Sequence, residues 1–157
     1  GSYAASLTAD DGNADPVAQD FTVKVANPLS AKGSVKLNFK TAGKDSIVLK
    51  GKLQDRPDGF AAGGKAFRVD VGGATATGTL DAKGKAAQLS VKKSGGFVSK
   101  LKNGSFAPAL TDEGLTNETV KKKAVTIPVL AVVGADGFGT LRKAKYSAKQ
   151  GKSGSAK

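Results

Sequence analysis

The sequence predicts an all-β protein, an antiparallel, β-sandwich-like fold of two similar halves with at most one short helix, near 108–114. Three observations carry that prediction. Apolar and polar residues alternate with period two along most of the chain, the pattern of strands with one buried face. The 21 glycines fall between those runs, at positions that read as tight turns. A stretch of the first half also recurs, loosely, in the second.

The elements follow in order. Ser34 to Thr41 sets Val35, Leu37 and Phe39 against Lys36, Asn38 and Lys40, and the turn Ala42-Gly43-Lys44 leads to a second strand, Asp45 to Leu53. Phe67, Val69 and Val71 share one side of Ala66–Val71, and Gly72-Gly73 is a two-residue hairpin signal into Ala74–Leu80. Asp81–Gly84 turns into Ala87–Lys92, followed by Gly96–Leu101. Pro108 to Gly114 carries the helix signal, proline early and glycine last. Val125, Ile127, Val129, Ala131 and Val133 define the clearest late strand, which Gly134–Gly137 returns into Phe138–Tyr146. Pro128 cannot donate to a ladder, so its strand is expected at an edge or a bulge.

The repeat sets Lys65–Val71 over Lys123–Val129. It suggests a first β half at 32–92 and a second at 93–148, preceded by an arm at 1–31 and followed by a flexible basic tail at 149–157. Charge divides along the same line. Residues 1–31 hold four aspartates and one lysine, a net −3, while the rest hold 24 Lys and Arg against nine acids, a net +15.

Composition removes whole classes of chemistry. Cys, His, Met and Trp are absent, so disulfides, the usual zinc, haem and iron–sulfur ligands, and every His-dependent triad are excluded. The remaining acids sit mostly at turns and form no obvious pair, so no catalytic residue is assigned and the chain reads as a non-enzyme. No stretch reaches the ~18 apolar residues of a membrane-spanning helix.

Two clusters stand out as candidate sites. Asp11, Asn13 and Asp15 have the spacing of a calcium loop, although Pro16 and Thr22 depart from its continuation. Calcium is therefore the one cofactor considered. Lys121, Lys122 and Lys123, with Arg142, Lys143 and Lys145, form the densest basic surface. With aromatics at inward positions, that surface disfavours nucleic acid and reads as solvated strand faces.

Four segments, Lys44–Leu53, Val69–Gly73, Thr79–Lys85 and Val120–Val129, carry a resemblance. Together they are similar to a Lys/Gly-rich β-domain recurring near the C-termini of secreted and cell-surface proteins of bacteria such as planctomycetes and myxobacteria, over roughly residues 33–152. The resemblance implies an extracellular β-module and carries no functional residues over.

The expected function is an extracellular, self-assembling structural subunit. Its N-terminal strand, with Phe21, Val23 and Val25 on one face, would add to a neighbour's sheet at the Pro128 strand and build a fibre or surface layer. The alternative is a monomeric secreted β-module that binds an acidic polymer, a matrix polysaccharide or nucleic acid.

Overall fold

The computed structural model describes residues 2–9 and 17–24 as backbone and residues 26–157 with their side chains. The protein is all-β. Strands β1 (Ser2–Ala9) and β2 (Val17–Lys24) form an antiparallel two-stranded sheet, with Ser2 opposite Lys24 and Ala9 opposite Val17. The other nine strands form one sheet curled into a half-barrel. They are β3 (Asn27–Asn38), β4 (Asp45–Leu53), β5 (Ala66–Val71), β6 (Ala74–Thr79), β7 (Leu89–Val91), β8 (Gly96–Gly104), β9 (Val120–Val133), β10 (Asp136–Lys149) and β11 (Ser153–Ala156). Their spatial order is β6-β5-β9-β10-β11-β3-β4-β8-β7. The helix signal yields one 3₁₀ turn, Pro108–Leu110.

Period-two alternation builds the core. Val35, Leu37, Ile47, Leu49, Val69, Val71, Leu101, Ile127 and Val129 all point to the inner face and are buried in a single cluster. The tight turn Gly72-Gly73 joins β5 to β6 with both residues at positive φ, 55° and 84°, as a type I′ hairpin requires.

Two four-stranded blocks make up the sheet, β6-β5-β9-β10 and β3-β4-β8-β7, and each takes strands from both expected halves. In the first block a local two-fold axis passes through the pair Val69–Ala131, because Phe67 pairs with Val133 and Val71 with Val129. The hairpins β5–β6 and β9–β10 exchange about that axis, with Val71–Ala74 equivalent to Val133–Asp136. The sequence alignment equated Val71 with Val129. The structure makes those two residues partners across the axis, and the equivalent of Val71 is Val133.

β11 joins the blocks. It lies antiparallel to both neighbours, with Tyr146–Lys149 of β10 on one side and Val35–Asn38 of β3 on the other. Beyond it β10 and β3 meet directly through a short parallel contact, Phe138 with Asn27 and Gly139 with Pro28. The tail expected to fray is therefore a central strand, with Gly154 and Ala156 buried. Its small side chains suit the slot. A Cβ at Gly154 would collide with the Tyr146 hydroxyl.

Two further expectations change. β3 starts at Asn27, so the boundary placed after residue 31 falls inside a strand. Pro128 is not on an edge strand, since β9 has β10 on one side and β5 on the other. Its carbonyl accepts from the Gly72 N–H at 2.9 Å, where β5 ends, so its missing N–H faces the point at which the ladder stops.

Candidate functional site

The chemistry-bearing surface lies on the outer face of β8, β4, β3, β11 and β10. Strand pairing aligns its residues in rows. One row runs Ser147, Ser155, Lys36, Ser46, Lys102. The next runs Lys145, Lys157, Ser34, Val48, Lys100, with the Lys145 and Lys157 backbones exchanging hydrogen bonds of 2.9 and 3.2 Å. A third places Lys32 directly opposite Lys50. Lys52, Lys143 and Lys149 complete a set of ten exposed lysines, and no acid shares their face on these strands. Neighbouring strands lie roughly 4.8 Å apart and same-face residues about 6.8 Å apart along a strand, so the ammonium groups form a dense lattice.

Nothing within the described residues neutralises it. The ion pairs there are Lys65–Asp136 at 3.7 Å and Arg68–Asp70 at 3.0 Å, both away from these rows. Like charges directly opposite each other cost the sheet roughly 0.2–1 kcal/mol per pair. Two pairs on this face, Lys32–Lys50 and Lys145–Lys157, stand directly opposite each other in this way.

β11 gives the lattice its shape. Its Ser-Gly-Ser-Ala sequence sets a low floor between the lysines of β10 and those of β3. A shallow depression of about 240 Å³ lies there, lined by Lys36, Leu37, Ser147, Ser153, Gly154, Ser155 and Lys157. The Ser147 oxygen accepts from the Lys122 N–H at 2.9 Å, which leaves its own proton free to donate.

The structure divides the basic cluster expected from the sequence. Lys143 and Lys145 point outward, but alternation turns Arg142 inward, where it is 8% exposed. Its Nη2 donates to the Gly33 carbonyl at 2.6 Å, bridging the gap that β11 leaves between β10 and β3. Nη1 has no hydrogen-bond partner, and burial pulls the guanidinium below its ordinary pKa. Arg142 is thus a strut within the sheet and not part of the basic surface. Lys121, Lys122 and Lys123 are exposed around a bulge, where Tyr146 faces Lys123 but Ala148 faces Val120, and Lys122 has φ 53°.

Of the assembly residues, Phe21 and Val23 fall in β2, opposite Ala5 and Tyr3, while Val25 lies outside the described residues. So do Asp11, Asn13 and Asp15. Among the described residues no group of three or more His, Cys, Asp or Glu side chains could hold a metal, and no helix is long and apolar enough to cross a membrane.

Six members of the face, Lys32, Lys36, Lys50, Lys52, Lys100 and Lys102, were legible only as solvated strand positions. The signal that would have found them is lysine at one parity on strands that carry no acid at that parity. No protein-family model matches the chain, and neither the curated proteins nor the solved structures contain a match.

Proposed function

We propose that the chain is a binding module, not an enzyme, that lays a linear acidic polysaccharide across its lysine face with β11 as the floor. The observation that carries this reading is the unneutralised lattice of ten lysines, nine on β3, β4, β8 and β10 and the tenth, Lys157, at the end of β11. Lysine supplies strongly hydrated point charges on flexible stems, which suit a repeating carboxylate or sulfate polymer better than one fixed ligand. A polysaccharide is favoured over single-stranded nucleic acid because the seven aromatic residues from Phe39 onward are buried or half-buried and offer no platform for bases on the lysine face among the residues described with side chains. Such a partner agrees with a secreted or cell-surface location.

The test is retention on a sulfated or uronate polysaccharide as salt is raised. Changing Lys36, Lys145 and Lys157 to Gln is expected to weaken retention at least about tenfold, with a shallower salt dependence. The same change at Lys40, Lys83 and Lys93, which lie in turns outside these strands, removes equal charge and should cost far less. Equal losses in the two variants would reduce the effect to net charge and sink the reading. Tighter retention by single-stranded DNA than by polysaccharide would reject the choice of polymer.

The separation of −3 and +15 along the chain supports a second reading, self-assembly by arm exchange into a fibre. In the two-stranded sheet β2 pairs with β1 over eight residue pairs on one side, so the arm would dock through the other edge of β2. Fibres that persist after deletion of residues 1–26 would remove it.

A further inference from the structure

The two ends of the nine-stranded sheet are treated differently. At one end β7 is only three residues long, and the chain just before it folds back across its open side. Ala86 N–H donates to the Leu89 carbonyl at 2.7 Å, and Val91 N–H to the Gly84 carbonyl at 2.8 Å. At the other end β6, Ala74-Thr-Ala-Thr-Gly-Thr79, pairs with β5 alone. Leu80 N–H donates to the Lys65 carbonyl, and bonding alternates along an antiparallel pair. The even residues of β6 therefore face β5, and Thr75, Thr77 and Thr79 turn their N–H and C=O groups away from it. All three threonines are exposed.

Proteins ordinarily blunt such an edge with lysine, proline or a bulge. β6 has none of these, in a chain with 25 Lys and Arg. The only charges on β5 and β6 are Arg68 and Asp70, bonded to each other at 3.0 Å. Of the two edges of the nine-stranded sheet, this is the one where two strongly cationic chains can approach without opposing charge.

We propose that β6 pairs with β6 of a second copy, antiparallel, about a two-fold axis through Thr77. Thr77 then faces the partner's Thr77, and Thr75 faces the partner's Thr79. Each pair is of like hydrogen-bonding parity, so the register uses every free backbone group, and threonine pairs across strands are favourable. The axis repeats the one already present inside the chain between β5 and β9. Because it stands perpendicular to the sheet, the lysine faces of both copies look out on the same side. The dimer does not depend on what those faces bind.

Sedimentation equilibrium over a range of concentrations tests it. The full chain is expected to show a concentration-dependent monomer–dimer equilibrium. Thr77→Pro removes an N–H that faces away from β5, so the chain's own ladder loses no bond while the central pair of the dimer is lost. It should weaken dimerisation at least tenfold and leave the circular dichroism spectrum unchanged. If Thr77→Pro fails to fold, Thr77→Lys, which opposes two charges at the axis, should give the same loss. Thr77→Val, which keeps the backbone and the strand propensity, should dimerise like the original chain. A chain that stays monomeric throughout, or a dimer that survives both Thr77→Pro and Thr77→Lys, overturns the proposal. So does a dimer lost on deletion of residues 1–25, which would make the arm the occupant.

Discussion

Asp45 shows how a single side chain can hold several elements. It is 3% exposed, and its carboxylate accepts the N–H groups of Asn38 at 2.7 Å, Phe106 at 2.7 Å and Ala107 at 3.0 Å. It thereby ties the end of β3 to the segment before the 3₁₀ turn. Removing it orphans all three donors, each worth ~1–3 kcal/mol when buried and unpaired, though not additively. Asp45→Ala is expected to lose about 3 kcal/mol in urea unfolding, and Asp45→Asn less, because one acceptor oxygen remains. Tyr146 is fully buried and donates to the Thr116 carbonyl at 2.7 Å. Burial pushes its phenol up to about 12 from the usual 10. A raised folded-state value holds the proton more tightly than the unfolded chain does. The stabilisation is therefore complete below about pH 10 and is lost as pH rises toward about 12. In a Tyr3→Phe background, tyrosinate absorbance should titrate with a midpoint near 12, and Tyr146→Phe should abolish the stability loss in that window.

At the scale of elements, the lysine face has a cost that can be measured. Lys50→Glu converts the Lys32–Lys50 opposition into an ion pair, and stability should rise by about 0.5–1 kcal/mol at low salt. Polysaccharide retention should fall in the same variant, so opposite signs in the two measurements separate function from folding. Much at this scale was legible in the sequence. β4 and β5 span the residues that alternation assigned, and β6 and β8 start where expected, since each is bounded by glycine or polar turns. β3 was read seven residues late because its first half buries only Leu29 and otherwise shows small or polar residues, which carry little periodic signal. β11 was missed for the same reason, as Ser-Gly-Ser-Ala resembles a linker. Its strand character comes from the neighbours that supply its hydrogen bonds, and neither is adjacent along the chain apart from the β10 turn. The candidate site was hidden in the same way. Individual lysines were visible, but which strands lie side by side is a matter of non-local pairing.

Across the whole molecule, charge works against compactness. The chain carries a net +12, and most of that excess sits on one face. Raising ionic strength from about 0.01 to 0.15 M shortens the screening length from ~30 to ~8 Å and should therefore stabilise the fold. A gain of roughly 1 kcal/mol would raise the melting temperature by about 2–4 °C, and a melting temperature that fell with salt would contradict the account. The single core explains why the repeat did not produce two domains. Each block borrows strands from both halves, and the buried residues form one cluster.

The four residues of β11 are also a seam. Apart from the short parallel contact at Phe138 and Gly139, the two four-stranded blocks are joined by backbone hydrogen bonds only through this strand. A pull that drew the blocks apart would load β11 first, and its amides should be among the earliest of the central sheet to exchange with deuterium. The seam is also the floor on which the polymer is proposed to rest. A chain lying there would contact lysines of both blocks at once and bind only the closed arrangement, holding the joint shut by mass action. Under tension, the ligand would act as the rivet.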